Sequence, residues 1–213
     1  MDVRAPDRLG GPGPLTRHDG CMTASSEVVG LLLAAGAGRR MGGPKALVGT
    51  WLVDAVTTLR VGGCDRVVVV LGASAAEARP LLDGYDAEVV VAEDWDEGMG
   101  ASLRAGLERL GGSEAAALVT LVDLPDMGAD VVERLLARPV TATTLARASY
   151  DGTPGHPVLI GRDHWAGVIA SAQGDRGARD YLDANTVEHV ECGDLATGQD
   201  ADTTPTRGQP GPE

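Results

Sequence analysis

The residues best equipped for chemistry lie in one stretch, Leu31 to Lys45, which reads LLLAAGAGRRMGGPK. A buried-type apolar run (Val28, Val29, Leu31, Leu32, Leu33) stops at small residues, and Gly36, Gly38, Arg39, Arg40, Pro44 and Lys45 follow. Glycines let backbone N–H groups come close to a phosphate chain, and the cations add charge. No other stretch combines backbone access with this density of positive charge. The pattern predicts a nucleoside triphosphate site.

Two common phosphate loops do not account for it. A dinucleotide fingerprint needs GxGxxG, and Met41 stands where the third glycine belongs. A P-loop needs GxxxxGK[ST]; Pro44 precedes Lys45 and Ala46 follows it, so the hydroxyl for Mg2+ is missing.

The loop needs a scaffold, and the chain supplies an alternation. Val28–Ala34 reads as a strand, Leu52–Leu59 as a helix, Arg66–Leu71 as a strand whose four valines favour the sheet centre, and Ala75–Leu82 as a helix. Ala87–Ala92 is a strand, Met99–Leu110 a helix, Ala116–Val122 a strand and Gly128–Ala137 a helix. This order predicts an α/β domain: a mostly parallel sheet with helices on both faces. After residue 138 the rhythm changes. Thr141–Tyr150 is β-rich, Asp151-Gly152-Thr153-Pro154 a turn, Gly155–Ile160 a short strand and Arg162–Ser171 a helix. GDRGAR (174–179) opens another short helix, over Gly177–Asn185, and Thr186–Glu191 is a last strand. The expected domain spans 27–196, with a nucleotide-binding half (27–138) and an acceptor-binding half (139–196). Residues 1–26 predict disorder, or an artefactual extension before a start at Met22, and 197–213 a flexible tail.

Composition excludes several classes. With 31 acidic against 18 basic residues the net charge is -13, which disfavours nucleic-acid binding and requires a local basic patch for any polyanionic substrate. The three cysteines are odd in number, widely spaced and without CxxC, so a disulfide framework or zinc site is not expected. No apolar run approaches the ~20 residues of a membrane span, and no signal peptide is evident. A cytoplasmic protein with reduced thiols is the expectation.

The opening stretch resembles the L-A-A-G-x-G-x-R-M-G-x-x-K signature of nucleotidyltransferases, with Leu33, Ala34, Ala35, Gly36, Gly38, Arg40, Met41, Gly42 and Lys45 in place. Later blocks, EGMGASL (97–103), VDLPDM (122–127), GHPVL (155–159) and GDRGAR, resemble those of the molybdenum cofactor cytidylyltransferases (MocA-like), relatives of the guanylyltransferases that make the other dinucleotide form. That resemblance implies a three-layer Rossmann-like nucleotidyltransferase fold. It implies transfer of CMP from CTP to Mo-molybdopterin with release of pyrophosphate, Mg2+ as cofactor, and a molybdenum hydroxylase or its chaperone as a possible partner.

Carried over residue by residue, the backbone of Ala35–Gly38 cradles the triphosphate, with Leu33 and Ala34 leading into it. Arg40 holds the β and γ phosphates, and Lys45 sits near the α phosphate. Arg39 occupies a variable position and reads as a solvated surface arginine. Asp123, at a strand end, is the Mg2+ ligand, while Asp126 suits a helix N-cap. Asp202 in the D-x-D-T-T-P block is a second candidate ligand; an inserted threonine departs from the family pattern. Gly98 and Ser102 allow nucleotide contact at a helix start, with a plain helix N-terminus as the alternative. Gly155, His156, Pro157, Gly174, Asp175 and Gly177 line the acceptor side, although a lone histidine and a tight turn also have structural readings. The short link ALVGTW (46–51) departs from relatives, with Trp51 expected to fill the gap. Ala35, in the LAAG form, points to CTP over GTP. Other phosphorylated acceptors, such as a sugar phosphate or phospholactate, guanylyl transfer, a non-catalytic cofactor chaperone and an NAD-binding module remain alternatives.

Overall fold

The computed structural model describes residues 27–39, 41–111 and 113–201. The expectations for residues 1–26 and for Arg40 and Asp202 fall outside these. In chain order the elements are β1 (Val28–Ala34), α1 (Trp51–Val61), β2 (Arg66–Leu71), α2 (Ala75–Ala78), β3 (Ala87–Val91), α3 (Met99–Arg109) and β4 (Ala116–Leu121). Then follow α4 (Ala129–Leu136), β5 (Leu145–Tyr150), β6 (Thr153–Gly161), α5 (Arg162–Ser171), α6 (Arg179–Asp183) and β7 (Glu188–Glu191).

The strands form one sheet in the order β3-β2-β1-β4-β6-β5-β7. β1 pairs in parallel with β2 and β4, β2 with β3, and β5 with β7. Only β6 is reversed, antiparallel to both β4 and β5. Every residue of β1 is buried, as a strand covered on both faces requires. Its side chains alternate between two cores. Val29, Leu31 and Leu33 pack with Leu103 and Leu107 of α3 and Trp165 and Val168 of α5. Val28, Leu32 and Ala34 pack with Leu52, Val56 and Leu59 of α1 and Val131, Val132 and Leu135 of α4. The result is the expected three-layer α/β arrangement. The valines of β2 are buried between β1 and β3, where the sequence put them.

Four local expectations need correction. The helix expected over Ala75–Leu82 is α2 followed by a 3-10 turn, Arg79–Leu82, because Pro80 has no N–H to continue the ladder. The β-rich stretch begins only at Leu145, since Thr141–Thr144 closes on itself: the Thr144 N–H donates to the Thr141 carbonyl (3.1 Å) and the Thr141 N–H to Thr144 Oγ1 (2.9 Å). The turn after β5 has two residues, Asp151 (φ 50°) and Gly152 (φ 76°), so β6 already starts at Thr153. Both left-handed conformations suit the twist of a tight hairpin. Helix α6 starts at Arg179, because Gly177 at φ 53° is not helical.

The chain runs outward from β1 through β2 to β3, then returns through α3 to β4 on the other side of β1. The loops leaving β1 and β4 therefore diverge from adjacent strand ends. Open α/β sheets bind ligands at such a switch point, beyond the carboxyl ends of the strands. Among the described residues no helix is long and apolar enough to cross a membrane.

Candidate active site

A cleft of about 490 Å3 opens at that switch point. One wall is the loop leaving β1: Leu33, Ala34, Ala35, Gly36, Ala37, Gly38 and Arg39 line it. The loop is held from within. The Gly38 carbonyl accepts the N–H groups of Met41 (2.9 Å) and Gly43 (3.2 Å). Gly38 itself lies at φ 58°, and a Cβ there would stand 1.8 Å from the Gly43 oxygen, so the turn admits only glycine. Gly36 differs: a Cβ on it would meet nothing within 4 Å. Its side faces open space in the cleft, and the fold itself gives no reason for glycine there.

Pro44 then starts a 3-10 turn, Lys45–Leu47, anchored by the buried methyl of Ala46. After the short link, Trp51 begins α1 and packs against the core, as expected for the trimmed edge. The turn aims Lys45 across the cleft. Its Nζ forms an ion pair with Asp123 Oδ2, from the loop after β4, 78 residues away in sequence. Both side chains are largely sheltered, with 20% and 13% of their surface exposed. A cation and a carboxylate are thus held at the mouth of β1 and β4, where an anionic ligand and a metal would meet.

The opposite wall is Trp95, Asp96, Glu97, Gly98, Met99 and Ser102, at and before the start of α3, with Asp175. Gly98 lies at φ 112°, and a Cβ there would stand 2.5 Å from the Gly174 carbonyl carbon and 2.7 Å from Asp175 Oδ1. The 174–176 turn therefore packs directly on this wall. Arg104 locks the two together, donating from Nη1 to the Ala172 carbonyl (2.6 Å) and from Nη2 to Glu97 Oε2 (3.0 Å).

Of the expected site residues, the structure gathers Leu33, Ala34, Ala35, Gly36, Gly38, Lys45, Gly98, Ser102, Asp123 and Asp175 around the cleft. Gly174 and Gly177 sit behind that wall, Gly177 against Met99. Gly155, His156 and Pro157 do not line it. They lie on β6, one strand beyond β4. Burial pushes the His156 ring down to about 4, Arg147 adds to this and Asp200 opposes it, so the ring is neutral near pH 7. Its carbonyl accepts the Tyr150 hydroxyl at 2.6 Å.

Asp126 is not an N-cap; Gly128 holds that position. The Asp126 carboxylate instead accepts the Thr197 N–H (2.7 Å) and the Thr197 hydroxyl. Further along, the Ala201 N–H donates to the Asp123 carbonyl (2.9 Å). Residues 197–201 thus brace the loop that carries Asp123. Sequence reasoning missed this brace, and it missed Trp95, Asp96 and Met99. The only available signal was the position of DWDE immediately before the glycines that mark the wall. Arg39, read as a surface residue, is exposed and stands at the cleft rim.

Among the described residues no group of three His, Cys, Asp or Glu side chains could hold a metal alone. Asp123 contributes one carboxylate at the cleft. Mg2+ binds through one or two carboxylates together with substrate phosphate oxygens, so this donor set fits a metal that arrives with its nucleotide.

Residues 30–190 match the profile of the MobA-like NTP transferase domain. The chain is 42% identical to nicotine blue oxidoreductase of Paenarthrobacter nicotinovorans over 191 residues, which covers 83% of this chain and 92% of that protein. It is 34% identical to molybdenum cofactor guanylyltransferase of Rhodobacter capsulatus, covering 67% of each. Among solved structures, the rv0371c homolog from Mycobacterium sp. strain JC1 superposes with a TM-score of 0.72 at 26% identity, over 84% of this chain and 91% of that one.

Proposed function

We propose, for a chain that belongs to the MobA-like NTP transferase family, the transfer of CMP from CTP to Mo-molybdopterin. The observation that carries this reading is the Lys45–Asp123 pair, set across a glycine-lined cleft at the switch point. In the reaction an oxygen of the acceptor's phosphate bonds to the α-phosphorus of CTP. The bond from that phosphorus to the bridging oxygen breaks, and pyrophosphate leaves. Such a reaction needs alignment and neutralisation of charge more than covalent help.

The backbone of Ala35–Gly38 cradles the triphosphate. Arg40 adds its charge to the leaving pyrophosphate, an assignment that rests on the sequence signature. Lys45 neutralises charge at the α phosphate. Asp123 holds Mg2+, with Asp202 as a second candidate on sequence grounds. The metal supplies Lewis acidity toward the phosphate oxygens. Asp123 also keeps Lys45 oriented until substrate arrives. Gly98 and Ser102 border the nucleotide from the opposite wall. Residues 27–138 supply the nucleotide side and 139–196 the acceptor side, where Gly155, His156, Pro157, Gly174, Asp175 and Gly177 lie. The Ala35 methyl narrows the pocket in favour of a pyrimidine. The protein works in the cytoplasm and passes its product to a molybdenum hydroxylase or its chaperone.

A second reading is an oxidoreductase, favoured by one observation: a relative 42% identical over 92% of its own length carries that name. The glycine loop departs from the dinucleotide fingerprint at Met41, and residues 30–190 match an NTP transferase domain, so transfer is the first reading. Pyrophosphate release, measured with each NTP and with and without Mo-molybdopterin, separates the readings. Pterin-dependent release, fastest with CTP, supports transfer. Faster GTP use reassigns the base. No release, together with oxidation of a nicotinamide cofactor by nicotine blue, replaces transfer with the second reading.

A further inference from the structure

We infer that Arg147, with His156 beside it, forms a subsite for the phosphate group of the acceptor; this rests on the nucleotidyl-transfer reading. Arg147 lies on β5 opposite Val158 of β6, whose side chain belongs to the core under α3 and α5. The arginine therefore emerges on the face that also carries α6 and the 174–176 turn. Its Nε and Nη2 donate to the Gly155 carbonyl at 3.3 and 3.2 Å. A guanidinium has five N–H donors, so a carbonyl leaves most of them for another acceptor.

The charge is poorly compensated. Arg147 is half-buried, and loss of water lowers its proton affinity; Arg179 adds to this and Asp183 opposes it. Among the described residues the salt bridges of the chain do not include Arg147. A sheltered guanidinium that, among the described residues, donates to one carbonyl is matched for a phosphate, which takes its fork in a bidentate grip. His156 offers a neutral ring with one donor and one acceptor.

Position assigns the site to the acceptor rather than to CTP. β6 runs antiparallel to β4, so Gly155 and His156 stand at the end toward which β4 leads to Asp123. β5 is two strands from β4, or about 10 Å sideways at ~4.8 Å per strand. The triphosphate loop lies on the other side of β4, after β1. In-line displacement places attacking and leaving oxygens on opposite sides of the phosphorus. An anion held near Gly155 approaches from the side away from the β1 loop.

The test uses Arg147→Met and Arg147→Lys in the full chain. Inorganic phosphate binding is followed by 31P NMR with a non-hydrolysable CTP analogue saturating the loop, and KM for Mo-molybdopterin is measured alongside. Arg147→Met should weaken both about 10–100-fold, with Arg147→Lys between, while CTP affinity stays at its wild-type value. Equal phosphate binding in wild type and Arg147→Met overturns the inference, as does a parallel loss of CTP affinity. Loss of phosphate binding in a protein that never releases pyrophosphate upholds the anion site and defeats the transfer reading. Normal turnover with an unchanged acceptor KM in Arg147→Met defeats the subsite alone.

Discussion

Two glycines, Gly36 and Gly38, occupy the same loop for opposite reasons, and replacing each by alanine separates them. At Gly36 a methyl meets nothing within 4 Å and the backbone is not left-handed. Folding should therefore lose nothing, or gain about 0.4–1 kcal/mol from the stiffer unfolded chain. A bound phosphate chain would meet that methyl. Displacing it by about 1 Å breaks one backbone hydrogen bond to a charged group, worth ~1.5–3 kcal/mol. That is a roughly 10–150-fold weaker CTP affinity. At Gly38 the alanine bears a left-handed backbone, about 1–2 kcal/mol, and a Cβ 1.8 Å from the Gly43 oxygen. To escape, the loop must give up one or both bonds to the Gly38 carbonyl, at ~1 kcal/mol each. The sum, about 2–4 kcal/mol, lowers Tm by roughly 4–16 °C in a chain of this size. Calorimetric titration with CTP and thermal melts of both variants provide the measurement. Wild-type CTP affinity in Gly36→Ala would refute the claim that the backbone approaches phosphate there. An unchanged Tm in Gly38→Ala would refute the closed turn.

Three further outcomes follow from the same geometry. Asp123→Asn should cut pyrophosphate release about 10²–10³-fold, the scale of removing one preorganised charge, and raise the Mg2+ concentration needed for half-maximal rate. Glu191 accepts hydrogen bonds from Ser149 Oγ (2.8 Å) and the Asp151, Gly152 and Gly193 N–H groups, which hold it down to about 2 against an ordinary 4.5. Its contribution is complete above pH 4.5 and is lost as pH falls toward 2, so Glu191→Gln should flatten the acid limb of a Tm-against-pH curve. Burial, with Asp65 adding to it, pushes the Cys64 thiol up to about 12. Cys192 is buried as well and its thiol is also raised, chiefly by desolvation, so a Cys21→Ser variant should show no rapid thiol labelling at pH 8 until denaturant is added, and fast labelling of the native protein would contradict this.

Much of the architecture was legible because local signals agreed with the final packing. The valines of β2 and the apolar run of β1 could only be covered strands, and Arg162–Ser171 emerged as α5 with the expected limits. The glycine loop was legible because its residues form a long signature at fixed spacing. What could not be read depends on distant partners. Pro80 was visible, yet its break in the helix was passed over. The turn at Asp151–Gly152 was visible, but the reversal of β6 beside β4 is a tertiary fact. Asp126 had the right chemistry for a cap, and Thr197, far along the chain, took its carboxylate instead. Gly98 was expected to make room for a ligand, and it also makes room for Gly174 and Asp175. Arg147 carried no motif at all. Only the strand pairing brings it to Gly155.

The reversed strand also matters during synthesis. β4 can pair with β1 once Leu121 has emerged from the ribosome, but its other edge stays open until β5 and β6, to Gly161, have emerged too. At ~5–20 residues per second the ribosome takes several seconds to cover that interval. Throughout it a nascent chain that already holds the whole phosphate loop presents AALVTL as a bare apolar edge. The residues up to Leu121 therefore cannot be expected to survive as a separate fragment. A stop between Leu121 and Gly161 should yield a sticky, insoluble product rather than a small nucleotide binder.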